Sequence, residues 1–274
     1  LMFTFFILST ALLYCLAAGI QYLKVTSFPA VKNSSSIIFR PISCKLIGAI
    51  AVIAHTIILQ NSLHLEQGLN LSLFTSGSLV SWLVALVLLI SSLRQKVDNL
   101  FIAVFPMAAI LLLLNAFIAQ PDPKPFTTQA ISHILLSILA YSVFTLATFQ
   151  TVLLHKQTSA LKHNIGGRFL NSLPPLQTME RLLFEMLWTG FILLSASLIT
   201  GFVFAQDIIT QHLVHKSFFA IISWVIFAIL LFGRYAWGWR GHKAMRWTLA
   251  GFFCLMLGFF GSKLVLEFLV NSTS

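Results

Sequence analysis

Carboxylates are scarce in this 274-residue chain. Seven Asp and Glu stand against 17 Lys and Arg, and charged residues make up only 9% of the whole. So sparse a supply of buried-segment charge offers no clear coupling pathway for an ion-driven transporter. Cysteine is also rare: Cys15, Cys44 and Cys254 are far apart, with neither C-x-x-C nor C-x-x-C-H. That spacing argues against thiol exchange and against covalent attachment of haem, and reads as small apolar packing residues. No H-E-x-x-H and no compact Cys/His/Asp/Glu ligand string favours zinc.

Long apolar runs are abundant instead. Eight segments, at about 2–23, 42–60, 75–92, 99–118, 129–153, 182–204, 217–234 and 246–268, reach membrane-spanning length. At 1.5 Å rise per residue each covers much or all of a hydrocarbon core of roughly 30 Å. The expected fold is an all-α, polytopic integral membrane protein with eight transmembrane helices. No segment has the size and polarity of a separate soluble domain, so 1–274 reads as a single membrane domain with a longer connection at 154–181. Gly166-Gly167 and Pro174-Pro175 punctuate that connection as a loop. A surface or reentrant helix at 173–180, opened by the two prolines, is a second reading of it.

The basic residues follow a pattern. Fourteen of the 17 lie in every second connection or at its helix ends: Lys24, Lys32, Arg40 and Lys45; Arg94 and Lys96; Lys156, Lys162, Arg168 and Arg181; Arg234, Arg240, Lys243 and Arg246. The bias of Lys and Arg toward the cytoplasm places these connections inside and both termini outside. The first segment lacks a positive n-region and reads as an uncleaved helix. The formal net charge of +10 follows from this asymmetry. It points to membrane lipids with anionic headgroups as partners, and gives no reason to infer nucleic acid.

Histidines supply the candidate chemistry. His55 lies about 13 residues into the second segment, His133 just inside the outer end of the fifth, and His215 just before the seventh on the same side. Three imidazoles therefore share one expected depth. Imidazole can ligate haem iron or zinc, relay a proton, or make an interhelical hydrogen bond, and for His55 all of these stay open. His64 and His212 are also external but sit in loops. Lys263, late in the last segment, can contact an anion such as a propionate or pair with Glu267 one turn on. At the opposite side Arg181 and Glu185, one turn apart beside Glu180, read as a helix anchor. Arg234-Tyr235-Ala236-Trp237-Gly238-Trp239-Arg240-Gly241 reads as an interfacial aromatic anchor.

Several of these segments resemble one family. His133-Ile134-Leu135 followed by Tyr141, Phe144 and Ala147 is similar to the histidine-bearing helix of the cytochrome c assembly membrane family. Met179-Glu180, Gly190-Phe191, Leu198-Ile199-Thr200-Gly201, Gly238-Trp239-Arg240-Gly241 and Trp247 through Phe252 extend the likeness over about 75–268. The compact, eight-span HemX-like branch is the best fit. The resemblance implies a multi-pass protein of the bacterial inner membrane that binds or transfers non-covalent haem as an accessory in cytochrome c maturation. It makes His133 an external axial ligand, with His215 or His55 as companion and Lys263 at a propionate. Other cytochrome c maturation proteins, or another membrane protein, would be partners.

One departure matters. Where haem-handling members carry a tryptophan-rich W-x-W-D-P-like segment, this chain has Ala205 through Lys216 with no Trp. A partner or regulator that keeps the fold without haem is therefore the main alternative, and a transporter the third. No external domain for apocytochrome c is apparent, so the residues assign no enzymatic role.

Overall fold

The structure is a computed structural model that describes residues 2–26, 41–65, 68–118, 128–163, 173–203 and 214–261. Among the described residues eight α-helices run in order: α1 Met2–Thr26, α2 Pro41–Leu63, α3 Leu73–Arg94, α4 Phe101–Phe117, α5 Thr128–Lys162, α6 Leu176–Val203, α7 Val214–Trp237 and α8 His242–Met256. A short 3-10 turn, Asp98–Leu100, leads into α4, and a π-helical turn, Leu257–Gly261, extends α8. With these extensions, all eight are long and apolar enough to cross a membrane. The fold is all-α. One antiparallel pairing of two residues each, His64–Leu65 with Gly68–Leu69, is the only strand structure among the described residues.

Two helix boundaries differ from the expectation in an informative way. α5 continues through His155, Lys156 and Gln157 to Lys162, so its 35 residues extend about 52 Å, well beyond a hydrocarbon core. Its polar end keeps the helical hydrogen bonds because backbone hydrogen bonding does not depend on the hydropathy of the side chains. The stretch at 173–180 is no separate surface helix. Pro174 and Pro175 precede Leu176, and α6 runs unbroken from there into its apolar span. Gly166 and Gly167 lie outside the described residues.

The helices divide into two compact units, residues 1–124 with 159–174, and residues 125–158 with 175–274. In the first, α1 packs on α2 and α4, and α3 on α2 and α4, which closes a four-helix bundle. Ser72 caps α3, its side chain accepting from the backbone N–H of Thr75. Small residues let the helices approach: a Cβ on Gly48 would lie 2.6 Å from the Phe105 ring. In lipid the hydrophobic effect does not drive helices together, so such close packing and interhelical hydrogen bonds must do so.

In the second unit α7 packs on α6 and α8. α5 joins them through a stacked pair, Phe144 and Phe227, whose ring centroids are 4.0 Å apart. Glycines floor both rings. A Cβ on Gly190 of α6 would come within 2.9 Å of Phe144, and one on Gly251 of α8 within 2.8 Å of Phe227. Polar ties cross the same helices: Ser223 donates to the Gly251 carbonyl at 2.8 Å, Trp224 Nε1 to Ser195 Oγ at 2.8 Å, and Gln150 Nε2 to the Met179 carbonyl at 3.2 Å.

The turn between α7 and α8 depends on glycine. Gly238 and Gly241 adopt φ of 62° and 56°, the left-handed region that L side chains rarely enter. Glu180 of α6 accepts the Gly241 N–H at 2.8 Å, which ties this turn to a third helix.

Candidate functional site

His133 occupies the second turn of α5, opposite the last turns of α6. Its Nδ1 lies 2.8 Å from the Ser197 carbonyl oxygen, so Nδ1 carries the proton and donates. The Ser197 and Thr200 hydroxyls stand further off, at 3.5 and 3.4 Å. Ser137, one turn along α5, meets Ser197 Oγ at 2.7 Å and braces the same contact. Gly201 completes the seat: a Cβ there would lie 3.0 Å from His133 Cε1 and 3.2 Å from Nδ1. The ring is thus clamped by a carbonyl on one side and by the flat face of a glycine. Its Nε2 has no hydrogen-bond partner among the described residues. A half-buried imidazole fixed as the Nδ1–H tautomer, with the Nε2 lone pair left over, has the arrangement usual for a metal-ligating histidine.

His55 is placed differently. It lies in the first unit, fully buried, with both ring nitrogens engaged. Nδ1 is 3.2 Å from the Tyr14 hydroxyl on α1, and Nε2 is 2.9 Å from Ser78 Oγ on α3. Tyr14 packs edge-on against the His55 ring and at a tilt against Phe105 of α4. One histidine therefore ties α1, α2 and α3 together in the bundle centre.

His215 falls in the first turn of α7, and its side chain is outside the described residues. Since α6 ends and α7 begins beside the start of α5 in chain direction, His215 belongs to the same end of the second unit as His133. Lys263, like Glu267, lies outside the described residues. No group of three or more metal-binding side chains occurs among the described residues.

Sequence reasoning singled out His133 and His55 but not their partners. Thr200-Gly201 stood in the quoted motif, yet nothing in it marks the backbone carbonyl of Ser197 as the acceptor. Tyr14 and Ser78 carried no signal, because a tyrosine and a serine within apolar runs are common.

The geometry can be set beside known proteins. The description "Cytochrome C assembly protein" covers the family that matches residues 43–270. The chain belongs to that family. Inner membrane protein YpjD of Escherichia coli K12 is 31% identical over 224 residues, 79% of this chain and 83% of YpjD. A 28.8 kDa protein of Azospirillum brasilense is 28% identical over 171 residues, 59% of this chain and 63% of that one. Cytochrome c biogenesis protein CcsA of Prochlorococcus marinus is 29% identical over 117 residues, covering 40% of this chain and 37% of CcsA. No solved structure matches. The chain is a multi-pass membrane protein of the cytochrome C assembly family, and His133, Thr200 and Gly201 all fall inside the matched region.

Proposed function

We propose that this protein is an inner-membrane accessory of cytochrome c biogenesis that binds haem non-covalently through His133. The single observation that carries the reading is the state of the His133 ring. Its Nδ1–H is spent on the Ser197 carbonyl, which orients the imidazole, while Nε2 keeps a lone pair for iron. Family membership supports the cellular role, and the CcsA relatives are named for cytochrome c biogenesis.

Bound haem would supply the redox chemistry, and the chain would supply ligation and position. His133 would hold the iron from α5, braced by Ser137, Ser197 and Gly201. His215 is the better companion, since it belongs to the same unit and helix end, whereas both His55 nitrogens already hold Tyr14 and Ser78. Lys263 is proposed as the propionate contact from its expected depth.

The absence of Trp between Ala205 and Lys216 favours a second reading, a regulator or partner that keeps the family fold without haem. A pyridine-haem assay with optical spectra on gently purified protein, resupplied with haem in a lipid mimic, separates the two. Near-equimolar haem with a low-spin spectrum supports haem handling. Protein that stays empty after resupply supports the regulator.

A further inference from the structure

At the end of the second unit opposite His133, a cavity of about 720 Å³ opens between the start of α6 and the α7–α8 turn. Three guanidinium groups line it, Arg181, Arg234 and Arg240, against two carboxylates, Glu180 and Glu185. Both carboxylates have partners already. Glu180 accepts the Gly241 N–H at 2.8 Å, and Glu185 pairs with Arg181 Nε at 3.5 Å. The lining therefore keeps a net positive charge.

Arg234 is held ready rather than spent. Its guanidinium lies 4.5 Å over the Phe184 ring and Nη1 donates to the Trp239 carbonyl at 3.3 Å, which leaves most of its five N–H donors. Arg240 is exposed and makes no hydrogen bond or ion pair among the described residues. Two such forks suit the tetrahedral oxygens of a phosphate. The wall then turns apolar: half-exposed Trp188 begins a stripe on α6 that continues through Ile192, Ile199 and Phe202, all exposed and spaced to share one helix face. Depth agrees. α6 is about 42 Å long, so its first turns stand beyond a core of roughly 30 Å, at headgroup level.

We propose that this cavity holds the phosphate headgroup of an anionic phospholipid, with its acyl chains lying along the Trp188–Phe202 stripe. Charge complementarity selects the headgroup, and the stripe selects a lipid over a free anion. The test is native mass spectrometry of the full chain, titrated with dioleoylphosphatidylglycerol or dioleoylphosphatidylcholine. The intact protein should retain phosphatidylglycerol preferentially. Arg240→Gln should weaken that retention roughly fivefold, the factor one interfacial cation contributes, and leave phosphatidylcholine unchanged. Lys156→Gln, which removes an exposed basic group outside the cavity, should change neither. Circular dichroism of each variant confirms that the helices are intact. Equal retention of the two lipids overturns the proposal, and so does an equal effect of Lys156→Gln, which would show a diffuse surface potential. Displacement of phosphatidylglycerol by millimolar inorganic phosphate assigns the cavity to a soluble anion and overturns it as well.

Discussion

Replacing His55 with Leu removes both hydrogen bonds that tie α1, α2 and α3 at the centre of the first bundle. The losses are unequal. Ser78 lies in the second turn of α3 and can turn its hydroxyl to a carbonyl one turn back, so its share is small. Tyr14 is fully buried and its phenol cannot reach its own helix backbone, so it is left without a partner. An unsatisfied buried hydroxyl costs about 1–3 kcal/mol. Interhelical hydrogen bonds measured inside membranes average only about 0.6 kcal/mol and reach about 1.7. His55→Leu should therefore destabilise by about 1–3 kcal/mol, and Tyr14→Phe by about 0.6–1.7 kcal/mol, within those ranges. Because both break the Tyr14–His55 bond, the double variant should cost less than the sum by about 1 kcal/mol. Equilibrium unfolding of the detergent-solubilised protein, followed by circular dichroism, gives all three values. Strict additivity would refute the Tyr14–His55 bond. A His55→Leu protein of undiminished stability that loses a haem spectrum would make His55 a ligand and refute the structural assignment.

Other consequences follow from the second unit and from the charge pattern. Gly201→Val should push the His133 ring off the Ser197 carbonyl, because its γ-methyl groups extend past a Cβ that already lies 3.0 Å from Cε1, whereas the Cβ of Gly201→Ala needs the ring to give by only a few tenths of an ångström; the haem spectrum should shift strongly in the first and little in the second. Gly190→Ala should cost about 1–3 kcal/mol of overpacking against Phe144, offset by up to about 1 kcal/mol of helix propensity, with Phe144→Leu relieving it in the double variant. In a cysteine-free background, Gly166→Cys and Lys243→Cys should react with a thiol reagent from the cytoplasm and Asp122→Cys from the exterior. Protection of both Gly166→Cys and Lys243→Cys would overturn the orientation expected from the charge pattern.

The helices were legible in the sequence because lipid demands long, internally hydrogen-bonded apolar segments, and that demand leaves a visible run of residues. Their ends were less legible. The run stops where polarity rises near His155, yet the α5 helix continues to Lys162 because hydrogen bonding, unlike hydropathy, is indifferent to the change. His133 and His55 were visible as rare titratable groups at one depth. What separates them, a backbone carbonyl on one and two hydroxyls on the other, depends on which helices are neighbours, and neighbours leave no mark in one sequence. The cap that Glu180 gives to Gly241 was hidden for the same reason: the local pairing of Arg181 with Glu185 is a one-turn spacing, while the Glu180 contact spans 61 positions.

The proposed function rests on Nε2 of His133 binding iron. The most direct measurement is the optical spectrum of His133→Gly protein, reconstituted with haem and then titrated with free imidazole. The substitution should remove the low-spin signature while circular dichroism stays that of the intact protein, and added imidazole should restore the signature by entering the space beside Gly201 and Ser197. An unchanged low-spin spectrum in His133→Gly before any imidazole is added would contradict it.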